Sequence, residues 1–312
     1  MAAESPMQLL DRLLALFRAT GVIDPDEAPR PTIPVEPATR TLERFGAWCG
    51  SGSMASDKTI ARDVAFARWL GFTRLDVIVN DHSASRAERT FDTYSRSKIV
   101  KLCAAASKAG LEVNLMSWIM PHARYLDEGM KILVDLLTET DAASIMFDAE
   151  EPWTQARKPM PYADAAAFVA SALKGHRWGV TGIGYASVEK LGPLVREAAY
   201  MVPQAYITSR TTSLDPAHDP YALARHWRKL FGQRDLVVGL AAYNQVGIPG
   251  YTPEAALRTC FASANGAAPV GIVWWSLAQI RSSSKVANAI KAIVTQQNQQ
   301  LVPRAPTPQE NA

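Results

Sequence analysis

The sequence predicts a (β/α)8 barrel, and three observations lead to that fold class. Short apolar runs suited to strands alternate with stretches of helical periodicity, eight of each, within about 255 residues. Each strand candidate is almost entirely apolar, as expected for parallel strands covered on both faces. The chain of 312 residues, 48% hydrophobic and 20% charged, can bury a core of this size.

The strand candidates follow one another at intervals that leave room for one helix each. They are Arg44–Trp48, Arg74–Val79, Glu112–Trp118, Ser144–Phe147, Trp178–Ile183, Ala199–Ala205, Leu236–Ala242 and Val270–Trp275. The helix candidates are Lys58–Leu70, Ser97–Ala109, Glu128–Thr140, Tyr162–Lys174, Val188–Glu197, Pro220–Phe231, Pro253–Ala264 and Val286–Gln297.

Helix boundaries carry their own signals. Ser56, Asp219 and Thr252 stand where a side-chain oxygen can cap the first turn of a helix. Gly71 and Gly110 stand where helices should end, because glycine tolerates a left-handed backbone. A doubly wound open sheet is the alternative for this length. The CGSGSMAS segment after the first strand, however, lacks the G-x-G-x-x-G phosphate loop of that fold, so the barrel is preferred.

We expect three regions along the chain. Residues 1–41 predict a short amphipathic helix and a proline-rich connector, residues 42–297 the barrel, and residues 298–312 a flexible polar tail. The N-terminal helix has two interpretations: it packs on the barrel, or it docks a partner protein.

Composition argues against several classes of protein and site. Lys and Arg number 33 and Asp and Glu 30, a net charge of +3 that gives no reason to expect a nucleic-acid partner. No apolar run approaches the length of a membrane-spanning helix. Three scattered cysteines without C-x-x-C spacing predict reduced thiols. The first residues, MAAESPMQLLDRLLALF, lack the features of a signal peptide, so we expect synthesis in the cytoplasm.

Barrel enzymes bind their substrates at the carboxyl ends of the strands, so residues at those ends are the site candidates. Aromatic, amide and carboxylate groups dominate there, which favours a neutral polyhydroxylated ligand such as a sugar over a phosphate. In chain order these candidates are Trp48, Asn80, Asp81, Trp118, Asp148, Glu150, Tyr185, Gln204, Tyr206, Tyr243 and Trp275.

The most informative motif is SIMFDAEEPW, which begins at Ser144 and ends the fourth strand candidate. Residues two apart in a strand share a face, so Asp148 and Glu150 should point into the same mouth. Two close carboxyl groups cannot both ionise easily, so one keeps a proton and can act as a general acid. That division of roles is what cleavage of a glycosidic bond requires. A solvated acidic loop before Pro152 is the structural alternative.

These features resemble two families of glycoside hydrolases. The fourth strand ending in D-x-E, Tyr206 on the sixth strand and the VWWSL segment on the eighth resemble the family 18 chitinases and endo-N-acetylglucosaminidases. The D-x-E also resembles the barrel lysozymes of family 25, common among phage endolysins. The resemblance implies Glu150 as the acid, Asp148 as its partner, Tyr206 as a site tyrosine and Trp275 as the floor under the sugar ring.

The chain departs from both family patterns at specific positions. The two further aspartates of the chitinase motif are replaced by Ala143 and Met146, and the first-strand aspartate of the lysozymes by Ala47 and Trp48. We therefore expect a distant glycosidase that cleaves an N-acetylated amino-sugar polymer, with peptidoglycan as the first substrate to consider. The proposed chemistry requires no metal or organic cofactor. A phage lysin released to the cell wall would fit these features.

Two alternatives remain open at this point. A carbohydrate-binding barrel that has lost catalysis would explain the replaced motif positions. A metal-dependent hydrolase could use His82, His122 and Asp148, although no H-x-H or H-x-x-x-H spacing supports a metal site.

Overall fold

The chain folds into a closed barrel of eight parallel strands, and the predicted (β/α)8 fold is confirmed. Each strand pairs with the next, and β1 closes the ring with β8, where Arg44 lies opposite Gly271. The computed structural model describes residues 44–80, 91–156, 159–184, 189–207, 219–232, 234–243 and 252–301. The strands are β1 (Arg44–Cys49), β2 (Arg74–Ile78), β3 (Glu112–Trp118), β4 (Ser144–Asp148), β5 (Trp178–Ile183), β6 (Tyr200–Ala205), β7 (Asp235–Ala241) and β8 (Gly271–Trp275).

Helices separate the strands along the chain, as the alternating pattern predicts. A short 3-10 helix, Ser51–Met54, precedes the first of them. The α-helices are α1 (Asp57–Trp69), α2 (Arg96–Lys108), α3 (Ala123–Thr140), α4 (Glu151–Thr154), α5 (Tyr162–Ala172), α6 (Gly192–Glu197), α7 (Pro220–Phe231), α8 (Pro253–Gly266), α9 (Leu277–Arg281) and α10 (Ser284–Leu301).

The expected caps are present. The side chains of Ser56, Asp219 and Thr252 accept hydrogen bonds from the backbone amides three residues later, at the starts of α1, α7 and α8. Gly71 and Gly110, which follow α1 and α2, have φ angles of 82° and 75°. Both glycines therefore adopt the left-handed conformation that their positions predicted.

Three helix boundaries differ from the sequence prediction by four residues or more. Helix α6 begins at Gly192, where the sequence predicted Val188. Helix α3 begins at Ala123 and not at Glu128, because Tyr125 and Leu126 are buried and belong to its apolar face. The residue before it, His122, makes no side-chain cap, so the sequence offers no start signal there. Helix α10 runs to Leu301, past the predicted end at Gln297.

The strands separate two hydrophobic layers. Side chains that point between the strands and the helices form the larger one. Alternate side chains point into the barrel, where a second cluster fills its centre. Its members include Trp48, Ile78, Met116, Met146, Tyr200, Val202, Val237 and Val273.

The interior below this apolar centre, toward the start of the strands, is polar. Arg74 and Asp76, which are 3% and 0% exposed, form an ion pair of 2.5 Å. Gly46 lies opposite Arg74, and a Cβ there would come within 2.3 Å of the Arg74 Cγ. Glycine is therefore required at residue 46 to admit the arginine side chain. We call Arg74, Asp76 and their polar neighbours Asn114 and Ser144 the barrel floor.

Several sequence predictions lie outside the described residues. They include the N-terminal helix and connector of residues 1–41, and the site candidates Asp81 and Tyr185. Among the helices that are described, none has both the length and the apolarity needed to cross a membrane.

Candidate active site

Asp148 and Glu150 meet at the carboxyl end of β4, as the D-x-E spacing predicts. Asp148 is the last residue of the strand and is 1% exposed, whereas Glu150 is partly exposed. The two carboxyl groups are close enough for Glu150 to raise the pKa of Asp148. One carboxyl group of the pair is therefore buried in the barrel, and the other can reach a ligand in the mouth.

Burial raises the pKa of Asp148 well above its usual range, because a charge in the barrel interior loses its hydration. The neighbouring Glu150 raises that pKa further, since two negative charges would repel each other. A hydrogen bond from Gln204 acts in the opposite direction by favouring the charged form. Asp148 therefore keeps its proton at a pH where an isolated carboxyl group would be ionised.

Gln204 is held rigidly while it contacts Asp148. Its Nε2 donates to Asp148 Oδ1 at 3.3 Å and to Thr181 Oγ1 at 3.0 Å, and it is 1% exposed. Thr181 Oγ1 in turn donates to the Val202 carbonyl at 2.7 Å. This chain of hydrogen bonds runs across β4, β5 and β6, and it sets the orientation of the Asp148 carboxyl group.

Aromatic side chains from four other strands line the same mouth. Trp48 packs against Trp275, with ring centroids 5.6 Å apart, and edge-on against Tyr206 at 6.4 Å. Tyr206 also packs edge-on against Tyr243 at 6.1 Å. Trp275 and Tyr243 are partly exposed, so their rings can contact a ligand. We call these four residues the aromatic wall.

Tyr206 connects the aromatic wall to the carboxyl pair. Burial raises the pKa of its hydroxyl well above the usual value, and the charges of Asp148 and Glu150 raise it further. The hydroxyl therefore stays protonated beside the carboxyl groups. In that state it can donate a hydrogen bond within the mouth.

Trp48 lies deeper than the sequence suggested for a ligand contact. It is 0% exposed and lies beneath Trp275 and Tyr206. Its ring reaches across the barrel to Gly239 on β7, where a Cβ would come within 2.8 Å of Trp48 Cη2. Trp48 therefore supports the exposed rings of the wall from below.

Asn80 and Trp118 occupy the side of the mouth next to β4. Trp118 is partly exposed and lies in register with Asp148 on the neighbouring strand. Asn80 is 1% exposed, and its side-chain amide is hydrogen-bonded to the backbone of Trp118. The structure thus brings nine of the eleven sequence candidates to one mouth, and Asp81 and Tyr185 lie outside the described residues.

The described residues contain no cluster of three or more His, Cys, Asp or Glu side chains able to hold a metal ion. His122, which the metal hypothesis used, is described, whereas His82 is not. The described residues therefore give no support to the hypothesis of a metal-dependent hydrolase.

Sequence reasoning missed two contributors to the site. Thr181 orients Gln204, and the one hint in the sequence was a threonine inside the otherwise apolar strand β5. Tyr125 on α3 donates to the Trp118 carbonyl at 3.2 Å. The sequence did not point to Tyr125, because the predicted helix began after it, at Glu128.

Comparison by sequence finds no matching family model and no matching curated protein. Comparison by structure finds many barrels, among them active domain 2 of a thermostable chitinase from Pyrococcus furiosus. That match has a TM-score of 0.57 at 12% identity, over 85% of this chain and 98% of the other.

Two further structures show the range of similar proteins. A GH18 chitinase from Pseudoalteromonas aurantia matches with a TM-score of 0.51 at 12% identity, over 82% of this chain and 100% of the other. The endo-1,4-beta-D-mannanase from Thermotoga petrophila RKU-1 matches with a TM-score of 0.52 at 10% identity, over 75% and 88%. At these identities the likeness establishes the barrel fold that this chain shares with carbohydrate-cleaving enzymes.

Proposed function

We propose that this protein is a glycoside hydrolase that cleaves an N-acetylated amino-sugar polymer, with bacterial peptidoglycan as its substrate. The observation that carries the proposal is the close carboxyl pair Asp148–Glu150, with the pKa of Asp148 raised, beside an aromatic wall in the mouth of the barrel. A protonated carboxyl group beside aromatic faces suits the protonation of a glycosidic oxygen while the sugar rings stack.

Glu150 is the general acid in this mechanism, because it is the member of the pair that reaches the mouth. It donates its proton to the glycosidic oxygen as the bond from that oxygen to the anomeric carbon breaks. Asp148 stays buried beside it, and it has two possible functions. It steadies a 2-acetamido group that attacks the anomeric carbon, or it stabilises the positive charge that develops on the ring.

Other side chains at the mouth bind the sugar. Tyr206 donates a hydrogen bond beside the carboxyl pair, and the partly exposed rings of Trp275, Tyr243 and Trp118 offer stacking surfaces. The solved structures of similar fold support this class of substrate, because two of those described above are chitinases. Peptidoglycan itself is our extension of that class.

The deciding experiment compares the wild type with Glu150→Gln on purified cell walls and on soluble chitooligosaccharides. The amide keeps the shape of Glu150 but cannot donate its proton, so activity should fall by about 10²- to 10⁴-fold. Glu197→Gln is the matched control, since Glu197 is exposed at the end of α6 and precedes the start of β6. Retention of more than about a tenth of the wild-type rate would assign the acid to another residue.

A non-catalytic carbohydrate-binding barrel is the second candidate, and one observation favours it. Met146, one step below Asp148 on the same face of β4, places an apolar side chain where the chitinase motif has an acid. Under this alternative, the wild type binds chitooligosaccharides but releases no product. Glu150→Gln then leaves the affinity unchanged within about twofold.

A further inference from the structure

The last backbone hydrogen bond between β2 and β3 joins the Val79 amide to the Met116 carbonyl at 2.9 Å. In a parallel ladder the next residue of β3 to face β2 is Trp118, whose backbone groups would pair with the continuing chain of β2. The Val79 carbonyl accepts from the Tyr94 amide at 2.8 Å, and the Trp118 amide is bonded to the side chain of Asn80.

The side chain of Asn80 bonds the backbone of Trp118 as a neighbouring strand would. Its Oδ1 accepts from the Trp118 amide at 2.9 Å, and its Nδ2 donates to the Trp118 carbonyl at 3.0 Å. A carboxamide has the same donor and acceptor as a peptide group, so it can continue the ladder by one step. Asn80 uses both ends of its amide in this way and is 1% exposed, so it does not bind a sugar directly.

Two more donors converge on the same carbonyl. Ser117 Oγ donates to it at 3.0 Å and Tyr125 Oη at 3.2 Å. The carbonyl would therefore keep a partner if either hydroxyl were removed. Asn80 bonds both the amide and the carbonyl of Trp118, so its loss removes the acceptor that holds the amide.

The hydrogen bonds to the backbone of Trp118 also determine where its indole ring lies. Residues 114, 116 and 118 share the inward face of β3, and Trp118 lies in register with Asp148. Fixing the backbone of Trp118 therefore fixes where its ring stands beside the carboxyl pair.

We infer that Asn80 is a positioning residue, which holds Trp118 at the mouth so that its ring stacks on the sugar next to the Asp148–Glu150 pair. This inference rests on the proposed function, because it assigns the contact with substrate to Trp118. It reassigns Asn80, whose position at a strand end had predicted direct hydrogen bonding to the sugar.

The anchoring is tested first, by hydrogen exchange of the Trp118 amide in the full chain. Asn80→Ala should speed exchange of this amide at least about tenfold, because its acceptor is removed. Ser117→Ala is the matched control, since it removes a donor to the Trp118 carbonyl and leaves the amide bonded. Equal exchange in the wild type and Asn80→Ala would overturn the anchoring.

The link to the sugar is tested by a double-mutant cycle on chitooligosaccharide hydrolysis and on binding measured by calorimetry. Asn80→Ala should lower kcat/KM or affinity by about 10- to 100-fold, as expected for a misplaced contact residue. In a Trp118→Ala background the same change should cost less than about twofold. Independent effects of the two changes would overturn the inference, because Asn80 would then act without Trp118.

This design separates the two proposals. A wild type that neither binds nor cleaves the sugar refutes the proposed function, and the stacking part of the inference with it. A wild type that cleaves the sugar, with independent effects at residues 80 and 118, refutes the inference alone. Melting temperatures of all variants identify any loss that comes from unfolding.

Discussion

The floor and the mouth of the barrel both bury an acidic side chain, but the group next to it shifts its pKa in opposite directions. In the floor, burial raises the pKa of Asp76, and the adjacent Arg74 guanidinium counteracts that rise. In the mouth, burial raises the pKa of Asp148, and the adjacent Glu150 adds to the rise. The floor neutralises its charge and stabilises the fold, whereas the mouth keeps a proton available for chemistry.

The neighbours of the two acids differ in the same sense. Asp76 has polar neighbours, since Asn114 hydrogen-bonds to it and Ser144 donates to Asn114 at 2.5 Å. Asp148 lies above the apolar Met116 and Met146, and the Gln204 side chain donates a hydrogen bond to it. The proton on Asp148 is thus favoured by the apolar side chains beneath it as well as by the second carboxyl group.

The largest effect on stability should come from breaking the floor. Arg74→Met leaves the Asp76 carboxyl group buried without its cation, and the unfolding free energy should fall by about 3 to 5 kcal/mol. Urea denaturation measures this loss. Adding Asp76→Asn should restore much of it, because no charge then remains to be neutralised. A loss below about 1 kcal/mol would mean that the pair is not the buried ion pair described here.

Asp148→Asn should impair catalysis at the mouth and leave the barrel floor intact. We expect kcat to fall by at least about 100-fold, because Glu150 loses its buried carboxyl partner. The raised pKa of Asp148 is lost with its carboxyl group, so the pH dependence of the reaction should change. The pH–rate profile of the variant should therefore differ from that of the wild type. An unmoved profile would show that the two carboxyl groups titrate independently.

Gly239→Ala should disturb the aromatic wall without touching the carboxyl pair. The added Cβ would stand 2.8 Å from Trp48 Cη2, so the indole must shift beneath Trp275. Overpacking of this kind costs about 1 to 3 kcal/mol. We expect KM for chitooligosaccharides to rise more than kcat falls. Gly266→Ala is the control, because a Cβ there would lie 3.6 Å from the nearest atom of Tyr221, outside the mouth.

The smallest expected effect is a gain in stability from the same Asp148→Asn change. The folded protein holds the Asp148 proton above the ordinary pKa of 3.8, so wild-type stability falls as the pH rises through that window. Asparagine carries no such cost. The variant should therefore be more stable than the wild type at pH 7.5, and the difference should shrink at pH 4. Thermal melts at both pH values test the sign, and a variant that is less stable at pH 7.5 would contradict it.

Much of the fold and part of the site could be predicted from sequence. The alternation of apolar runs and helical periods depends on local spacing, and the caps at Ser56, Asp219 and Thr252 depend on residues three apart. The meeting of Asp148 and Glu150 follows from strand geometry alone. Contacts between strands could not be predicted in this way, as Asn80 illustrates, because they depend on register and on where β2 leaves the sheet.

The sequence by itself determined the order of the elements, the position of the carboxyl pair and the aromatic character of the mouth, since each follows from residues near one another in the chain. Only the tertiary structure decided what each of these side chains does. Barrel closure buried Trp48 beneath Trp275, brought Gln204 from β6 to Asp148 on β4, and turned Asn80 toward the backbone of Trp118. The physical reason is that burial and hydrogen-bond partners are set by neighbours distant in sequence, and these are known only once the strands are in register.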